Sequence, residues 1–313
     1  MLTYILKRLL GTIPVFAVVT VFVFLLLHLT PGDPAVIIGG DYATPEQIAA
    51  IRTQLGLDRP LFEQFMTWLT RLSKGDLGVS IFSAKPVSEL IVQRLEPTLI
   101  LALATITLSI VVAVPLGIIA ATQAGRMTDR CVMAFSVVGF STPVFVVGYL
   151  LVFVFALKFR WFPTQGYVPL AKGLWPCLHS LALPTLTLAL LYVALIARVT
   201  RATVMEVLAE DYIRTAEAKG LGAVTILLCH TLKNAAVPIV TVVGIGIAAL
   251  LGGVVVTETV FNIPGLGRLT SDAILRHDYP VVQGLIFVFA LTYVGINLLV
   301  DLSYVLFDPR IRY

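Results

Sequence analysis

Charge is scarce in this chain of 313 residues: Asp, Glu, Lys and Arg make up only 13% of it, and 58% is hydrophobic. With a mean hydropathy of +0.96, there are too few charged side chains to cover a water-soluble domain, which excludes that class. The three cysteines, Cys131, Cys177 and Cys229, are scattered without a C-x-x-C pair and read as unpaired packing residues. The four histidines, His28, His179, His230 and His277, show no metal-ligand spacing, so no built-in metal site is expected. No G-x-x-x-x-G-K-[ST] phosphate loop occurs, which excludes ATP hydrolysis of the usual kind by this chain alone. Nucleophile elbow, H-E-x-x-H motif and closely spaced carboxylate pair are missing as well. The chain is therefore expected to be non-catalytic and to hold no cofactor of its own.

What is present is long apolar runs. A helix needs about 20 apolar residues to cross a bilayer core. Six stretches meet that: Leu9 to Leu29, Thr98 to Thr122, Cys131 to Leu157, Cys177 to Ala197, Asn234 to Thr257, and Val281 to Phe307. None shows the alternation of a membrane β-barrel, so the fold class is all-α, a polytopic membrane protein with six transmembrane helices. Lys7 and Arg8 ahead of the first run give it the look of a signal peptide. Its length and the sequel Thr30-Pro31-Gly32-Asp33-Pro34, with no small-x-small cleavage site, predict an uncleaved helix instead.

Orientation follows from the basic residues near the span ends. Placing both termini in the cytoplasm puts Lys7, Arg8, Arg126, Arg130, Arg198, Arg201, Arg214, Lys219, Lys233, Arg310 and Arg312 inside. The short external loops then keep only Lys158, Arg160, Lys172, Arg268 and Arg276. The net charge of +4 is accounted for by this bias and gives no reason to expect a nucleic-acid partner. The chain divides into residues 1–29 with the first span, an external helical segment over 30–96, and a five-helix core over 97–313 that carries a cytoplasmic loop at 199–233.

The external segment has its own helix signals. Thr44-Pro45-Glu46-Gln47 is a capping box with proline at the first helical position, and Gly56 is the stop. Pro60 opens a second helix with Leu61, Phe62, Phe65, Trp68, Leu69 and Leu72 at helical spacing. Both apolar stripes are expected to pack on each other and on the membrane domain. Within the spans, Pro14, Pro115, Pro143 and Pro184 are expected to bend their helices. The fifth span carries Gly244, Gly246, Gly252 and Gly253, with small-residue pairs Ala248/Gly252 and Ala249/Gly253 that suit close helix packing. A smooth pathway wall at Gly246, Gly252 and Gly253 is the alternative.

Ionisable groups deep in the spans, the mark of a proton or ion relay, are nearly absent. His28, Arg198 and Glu258 fall at span edges, and Asp301, inside the last span, is expected to pair with a neighbouring helix or water. The remaining chemistry lies in the inner loop. From Ala209 to Lys219, Glu210, Asp211, Arg214, Glu217 and Lys219 alternate with Tyr212, Ile213 and Ala216. Arg214 stands three residues before Glu217, at ion-pair spacing on a helix. Gly220 then breaks the helix ahead of Leu221, and a second short helix is expected from Ala223 to Leu232. Two short helices meeting at a glycine make a protruding knob suited to a groove on a soluble protein.

At these residues the chain resembles a permease subunit of a binding-protein-dependent ABC importer, in the dipeptide, oligopeptide and nickel group. The loop is similar to the family's E-A-A-x-x-x-G coupling loop, with the glycine at Gly220, the third position at Ala216, the second at Thr215 and the first at Arg214. The acidic first residue and the later Ile-x-Leu-Pro are replaced, with His230, Leu232 and Lys233 in the latter places. Pro31-Gly32-Asp33-Pro34, Leu55-Gly56-Leu57-Asp58, Gly75-Asp76-Leu77-Gly78, the run from Phe261 to Arg268, Asp278-Tyr279-Pro280 and Asp308-Pro309-Arg310 follow, in order, the first permease of such a pair. The resemblance implies a type I permease fold in the bacterial inner membrane and a heterodimer with a second permease. It further implies two ATPase subunits that bind the ATP and Mg, and a periplasmic solute-binding protein. Tyr212, Arg214, Thr215, Ala216, Glu217, Lys219, Gly220 and Leu221 would couple to the ATPase. Small peptides are the implied solute class, with nickel chelates, glutathione and opine-like or sugar compounds as alternatives. A stand-alone channel, a secondary carrier and a membrane enzyme are the competing classes.

Overall fold

A computed structural model describes residues 2–29, 34–40 and 43–307. Pro31 to Asp33 and the terminal Asp308-Pro309-Arg310, with Arg312, lie outside the described residues. The first helix, α1 (Leu2–Leu29), is followed by three short helices, α2 (Pro34–Gly39), α3 (Pro45–Leu55) and α4 (Leu61–Ser73). The core comprises α5 (Val87–Thr122), α6 (Met127–Ser141), α7 (Val144–Leu151) with a π-helical continuation over Val152–Lys158, and α8 (Leu174–Leu208). Then come α9 (Asp211–Ala218), α10 (Ala223–Thr225), a π-helical turn Ile226–Thr231, α11 (Leu232–Val260), α12 (Leu266–Leu275) and α13 (Tyr279–Phe307). No β-strand occurs among the described residues; Val79 and Pro86 form an isolated bridge.

Among the described residues five helices are long and apolar enough to span a membrane, and the pair α6–α7, bent by 105°, makes six where it is counted as one broken span. Cys131 to Leu157 was expected as one bent helix. Pro143 turns the bend into a break: it offers no N–H, and Thr142 before it adopts an extended conformation (φ −88°, ψ 126°). Two other helices outrun their apolar stretches. Helix α5 starts at Val87, so the polar run Ser88 to Glu96 is already helical, and α8 continues past Ala197 to Leu208. The inner loop proper therefore begins only at Ala209.

Helix α8 is the axis of the fold. Of its most apolar 18-residue window, 72% is buried inside the chain, against 17% for that of α1 and 6% for that of α13. Leu181, Leu188, Tyr192, Val193 and Ile196 of α8 form the main core with Leu101 and Ala113 of α5 and Leu250 and Val254 of α11. A second cluster joins Val87 and Ile91 of α5 to Leu266 and Leu269 of α12 and Val281 and Leu285 of α13. Leu10, Val18 and Phe22 of α1, Leu103 and Val111 of α5 and Leu299 of α13 instead face outward. In a bilayer such faces meet lipid or neighbouring subunits, where apolar side chains cost nothing.

Of the two stripes, that of α3 meets α2, with Ile48 and Ile51 beside Gly39, and that of α4 meets α1 in part, with Leu61 and Phe62 left exposed. Thr44 Oγ1 accepts from the Gln47 N–H (3.3 Å) while Gln47 Oε1 accepts from the Thr44 N–H (2.9 Å), the reciprocal pair of a capping box. Phe65 and Trp68 of α4 pack on Phe24 of α1, with ring centroids 5.2 and 5.9 Å away. Gln64 Nε2 donates to the Leu57 and Arg59 carbonyls and fastens α4 to the turn after α3. Thr44→Ala removes one capping bond, worth about 1 kcal/mol. Hydrogen exchange should rise over residues 45–55 and stay unchanged in the core.

Asp301 finds its partner in the first helix. Arg8 donates to its carboxylate at 2.7 Å, which ties α13 to α1.

Candidate functional site

The inner loop forms a knob built on one amphipathic turn of sequence. Helix α9 buries Ile213 and Ala216, which pack with Ile226 and the partly buried Leu208 and Leu221. The opposite side presents Asp211, Tyr212, Arg214, Thr215, Glu217 and Lys219 to the outside. Val224 and Leu228 lie exposed on the following segment, so the knob shows apolar contacts among its charges. Burial and the Glu210 carboxylate push the Tyr212 phenol up from its usual range.

Gly220 ends α9 with φ of +80°, in the left-handed region that a side chain disfavours. Its N–H donates to the Glu217 carbonyl at 2.9 Å, and the Leu221 N–H to the Ala216 carbonyl at 3.2 Å. This pair of bonds closes the helix and returns Leu221 to the small core beneath it. Two expectations need correction. Arg214 pairs with Asp211 at 3.4 Å, not with Glu217, because its side chain reaches back along the exposed helix face. The second short helix is also not separate: from Ala223 the chain runs through the π-helical turn directly into α11, giving one helical span Ala223–Val260. The knob is one short helix set against the entry of a long one.

The three glycines named for the pathway occupy two faces of α11. A Cβ on Gly246 would meet the Tyr192 ring at 3.3 Å and one on Gly253 would meet Leu188 at 3.3 Å, so both face α8. Gly252 has nothing within 4 Å and lies on the exposed stripe with Ile245, Ala249 and Val256. Gly244 is the tightest contact of this helix, its added Cβ falling 2.3 Å from Val300 of α13.

Two polar networks escaped the sequence reading. Glu258, placed by sequence at a span edge, is completely buried. Its carboxylate accepts from Thr98 Oγ1 (2.6 Å), from the Arg268 N–H (2.9 Å) and from the Gly267 N–H. Thr98 Oγ1 in turn accepts from the Leu266 N–H at 2.8 Å. The carboxylate and hydroxyl thus satisfy three of the N–H groups at the start of α12 that the helix leaves free. At the other end of the core, Asp129 in the first turn of α6 receives both Nε and Nη2 of Arg201 from α8, the latter at 2.7 Å. It also accepts from the Gly125 N–H at 2.9 Å. Arg201 had counted only toward orientation. Asp129 gave no signal beyond being acidic in a first helical turn, since its partner lies 72 residues away.

The chain is thus a bundle of broken and continuous membrane helices with a charged helical knob at one end. Residues 113–313 match the family described as binding-protein-dependent transport system inner membrane component, and residues 1–104 match its N-terminal counterpart. The probable peptide ABC transporter permease protein y4tP of Sinorhizobium fredii is 52% identical over 310 residues, 99% of both chains. The glutathione transport system permease protein GsiC of Escherichia coli K12 is 44% identical over the full length of both. An inward-facing structure of the MetNI methionine ABC transporter superimposes with a TM-score of 0.57 at 16% identity, over 68% of this chain and 94% of that one, which establishes the fold. The chain belongs to the family of binding-protein-dependent ABC importer permeases, and it is a multi-pass inner-membrane protein with the type I permease fold.

Proposed function

We propose that this permease forms half of the translocation pathway for small peptides and is driven through α9 by a separate ATPase. The observation that carries the coupling role is the division of α9 itself. Ile213 and Ala216 anchor it, while Tyr212, Arg214, Thr215, Glu217 and Lys219 are left facing outward around the left-handed turn at Gly220. Exposed charges on so short a helix give little stability to the chain that carries them, about 0.3–0.5 kcal/mol per pair. A docking face accounts for them. The peptide assignment rests on the name of the Sinorhizobium relative. Glutathione, itself a small peptide, is the second reading and rests on the GsiC relatives.

The cycle needs no covalent chemistry in this chain; ATP and Mg belong to two ATPase subunits. A second permease completes the pathway, with Gly252 and its neighbours as candidate lining. A periplasmic binding protein delivers the solute, and both termini of this chain face the cytoplasm. Closure of the ATPases displaces the knob and switches the helices between outward and inward access.

The test is mild-detergent purification of a tagged chain from its native membrane, with mass spectrometry of the stoichiometric partners. An ATPase and a second permease are expected. Uptake of labelled di- and tripeptides, with glutathione among them, by the reconstituted assembly then fixes the solute. A homo-oligomer that transports without ATP would overturn the reading in favour of a channel or carrier.

A further inference from the structure

The knob has two chain connections into the membrane. One is the entry to α11, which begins with the π-helical turn Ile226–Thr231. A π turn closes its hydrogen bonds over a longer loop than the α-helix, and such turns interrupt helices as local bulges. The other is α8, an unbroken helix from Leu174 to Leu208 that joins α9 through only Ala209 and Glu210.

The inner third of α8 is fastened twice to the preceding hairpin. At the first point it crosses α5 so closely that a Cβ on Gly117 would fall 2.6 Å from Thr200 Cβ and 2.7 Å from the Ala197 carbonyl oxygen. One residue beyond Thr200, Arg201 forks onto both oxygens of Asp129. Asp129 is 4% exposed. It also accepts from the N–H of Gly125, so the connection between α5 and α6 is held by the same carboxylate. A two-pronged guanidinium–carboxylate pair fixes orientation as well as distance, which a single contact does not. Below it, Val204 packs with Ala121 of α5 and Ala235 of α11. The next cluster outward, through Leu208, is the core of the knob.

We infer that the Asp129–Arg201 pair is a positioning pair for transport: it makes the α5–α6 hairpin follow α8 when the knob is displaced. Neither residue touches solute or ATP. Their part is to convert a push on α9 into a movement of α5, α6 and, beyond the break at Thr142-Pro143, α7. This inference rests on the reading of α9 as the point of ATPase contact.

The experiment uses the full complex, with both permeases, ATPases and binding protein, in liposomes. Solute uptake and ATP hydrolysis are measured together in wild type, Arg201→Lys, Arg201→Met, Asp129→Asn and the exchange Asp129→Arg with Arg201→Asp. Wild type without ATP-driven uptake would refute the importer coupling itself, a result separate from anything the variants show. Given a coupled wild type, solute carried per ATP is expected to fall about ten-fold in Arg201→Met and Asp129→Asn, the order of a typical coupling between linked sites. ATP hydrolysis should persist, and the exchange should recover part of the ratio. Arg201→Lys keeps the charge and loses the fork, so it serves where the neutral variants fail to assemble: it is expected to assemble and to couple poorly. An assembled Arg201→Lys or Arg201→Met complex that carries wild-type solute per ATP would overturn the proposal. So would a loss of thermal stability with no change in that ratio, which a static brace would give.

Discussion

Gly267→Ala is expected to leave little folded protein in the membrane, the largest effect of any single methyl group considered for this chain. The added Cβ would lie 2.5 Å from Cα and 2.9 Å from N of Val255, and 3.0 Å from Glu258 Oε2. Backbone cannot rotate aside as a side chain does, so α12 has to move off α11. Overpacking alone costs about 1–3 kcal/mol. As the helix shifts, its N–H bonds to Glu258 lengthen, and each bond to a charged group is worth about 1.5–3 kcal/mol. Together these approach the ~5–15 kcal/mol that holds a typical native state. Glu258→Ala reaches a similar end by leaving the Gly267 and Arg268 N–H groups and the Thr98 hydroxyl without their acceptor. Glu258→Gln should be milder, because an amide oxygen still accepts from the backbone. Gly252→Ala is the control, since its methyl meets nothing within 4 Å. Thermal aggregation of the detergent-solubilised proteins checks the order: Gly267→Ala and Glu258→Ala lowest, Glu258→Gln between, Gly252→Ala near wild type. Equal stability of Gly267→Ala and Gly252→Ala would refute the account of this contact.

Gly220→Val is expected to spare insertion and sharply reduce productive transport. There is room for the side chain, as nothing lies within 4 Å of a Cβ there. The difficulty is the backbone: φ of +80° costs an L-residue about 1–2 kcal/mol, and a β-branched one more. The turn escapes the strain by opening, which breaks the Gly220-to-Glu217 and Leu221-to-Ala216 bonds and withdraws Leu221 from beneath α9. Since 1.4 kcal/mol is about ten-fold in an equilibrium, uptake should fall about ten-fold or more, with ATP hydrolysis no longer following solute. Gly220→Asn, which tolerates the left-handed region, should retain much of the activity. Wild-type uptake by Gly220→Val would remove α9 from the coupling path. Reversing Arg214 and Glu217 tests the same face from outside. The Arg214–Asp211 pair is exposed on both sides, so stability should change by less than about 1 kcal/mol. Any large loss of uptake would then arise at the docked ATPase.

What the sequence shows well is what is decided locally. The capping box at Thr44 and Gln47, the helix stop at Gly56 and the left-handed turn at Gly220 each depend on a few consecutive residues, and each stands where the sequence puts it. The spans follow from apolar runs, yet their ends do not. Ser88 to Glu96 and Val199 to Leu208 are polar but helical, because a helix that leaves the bilayer need not stop at its surface. The same continuity hides the entry to α11: nothing in Ala223 to Leu232 separates a short helix from the beginning of a long one. The two networks are missed for a different reason. Thr98, Glu258 and Arg268 join three elements, and Asp129 and Arg201 are partners only because α6 and α8 cross there. Asp301 could be expected to have a partner, but only the packing of α1 on α13 identifies it as Arg8.

The start of α12 is closed to anions from within the chain. A bare helix N-terminus attracts carboxylates and phosphates. Here Glu258 already fills that place, and Thr98 takes the neighbouring N–H. With the N–H groups of Leu266, Gly267 and Arg268 all bonded to side chains of the same chain, this helix end keeps none of the three to offer to another molecule.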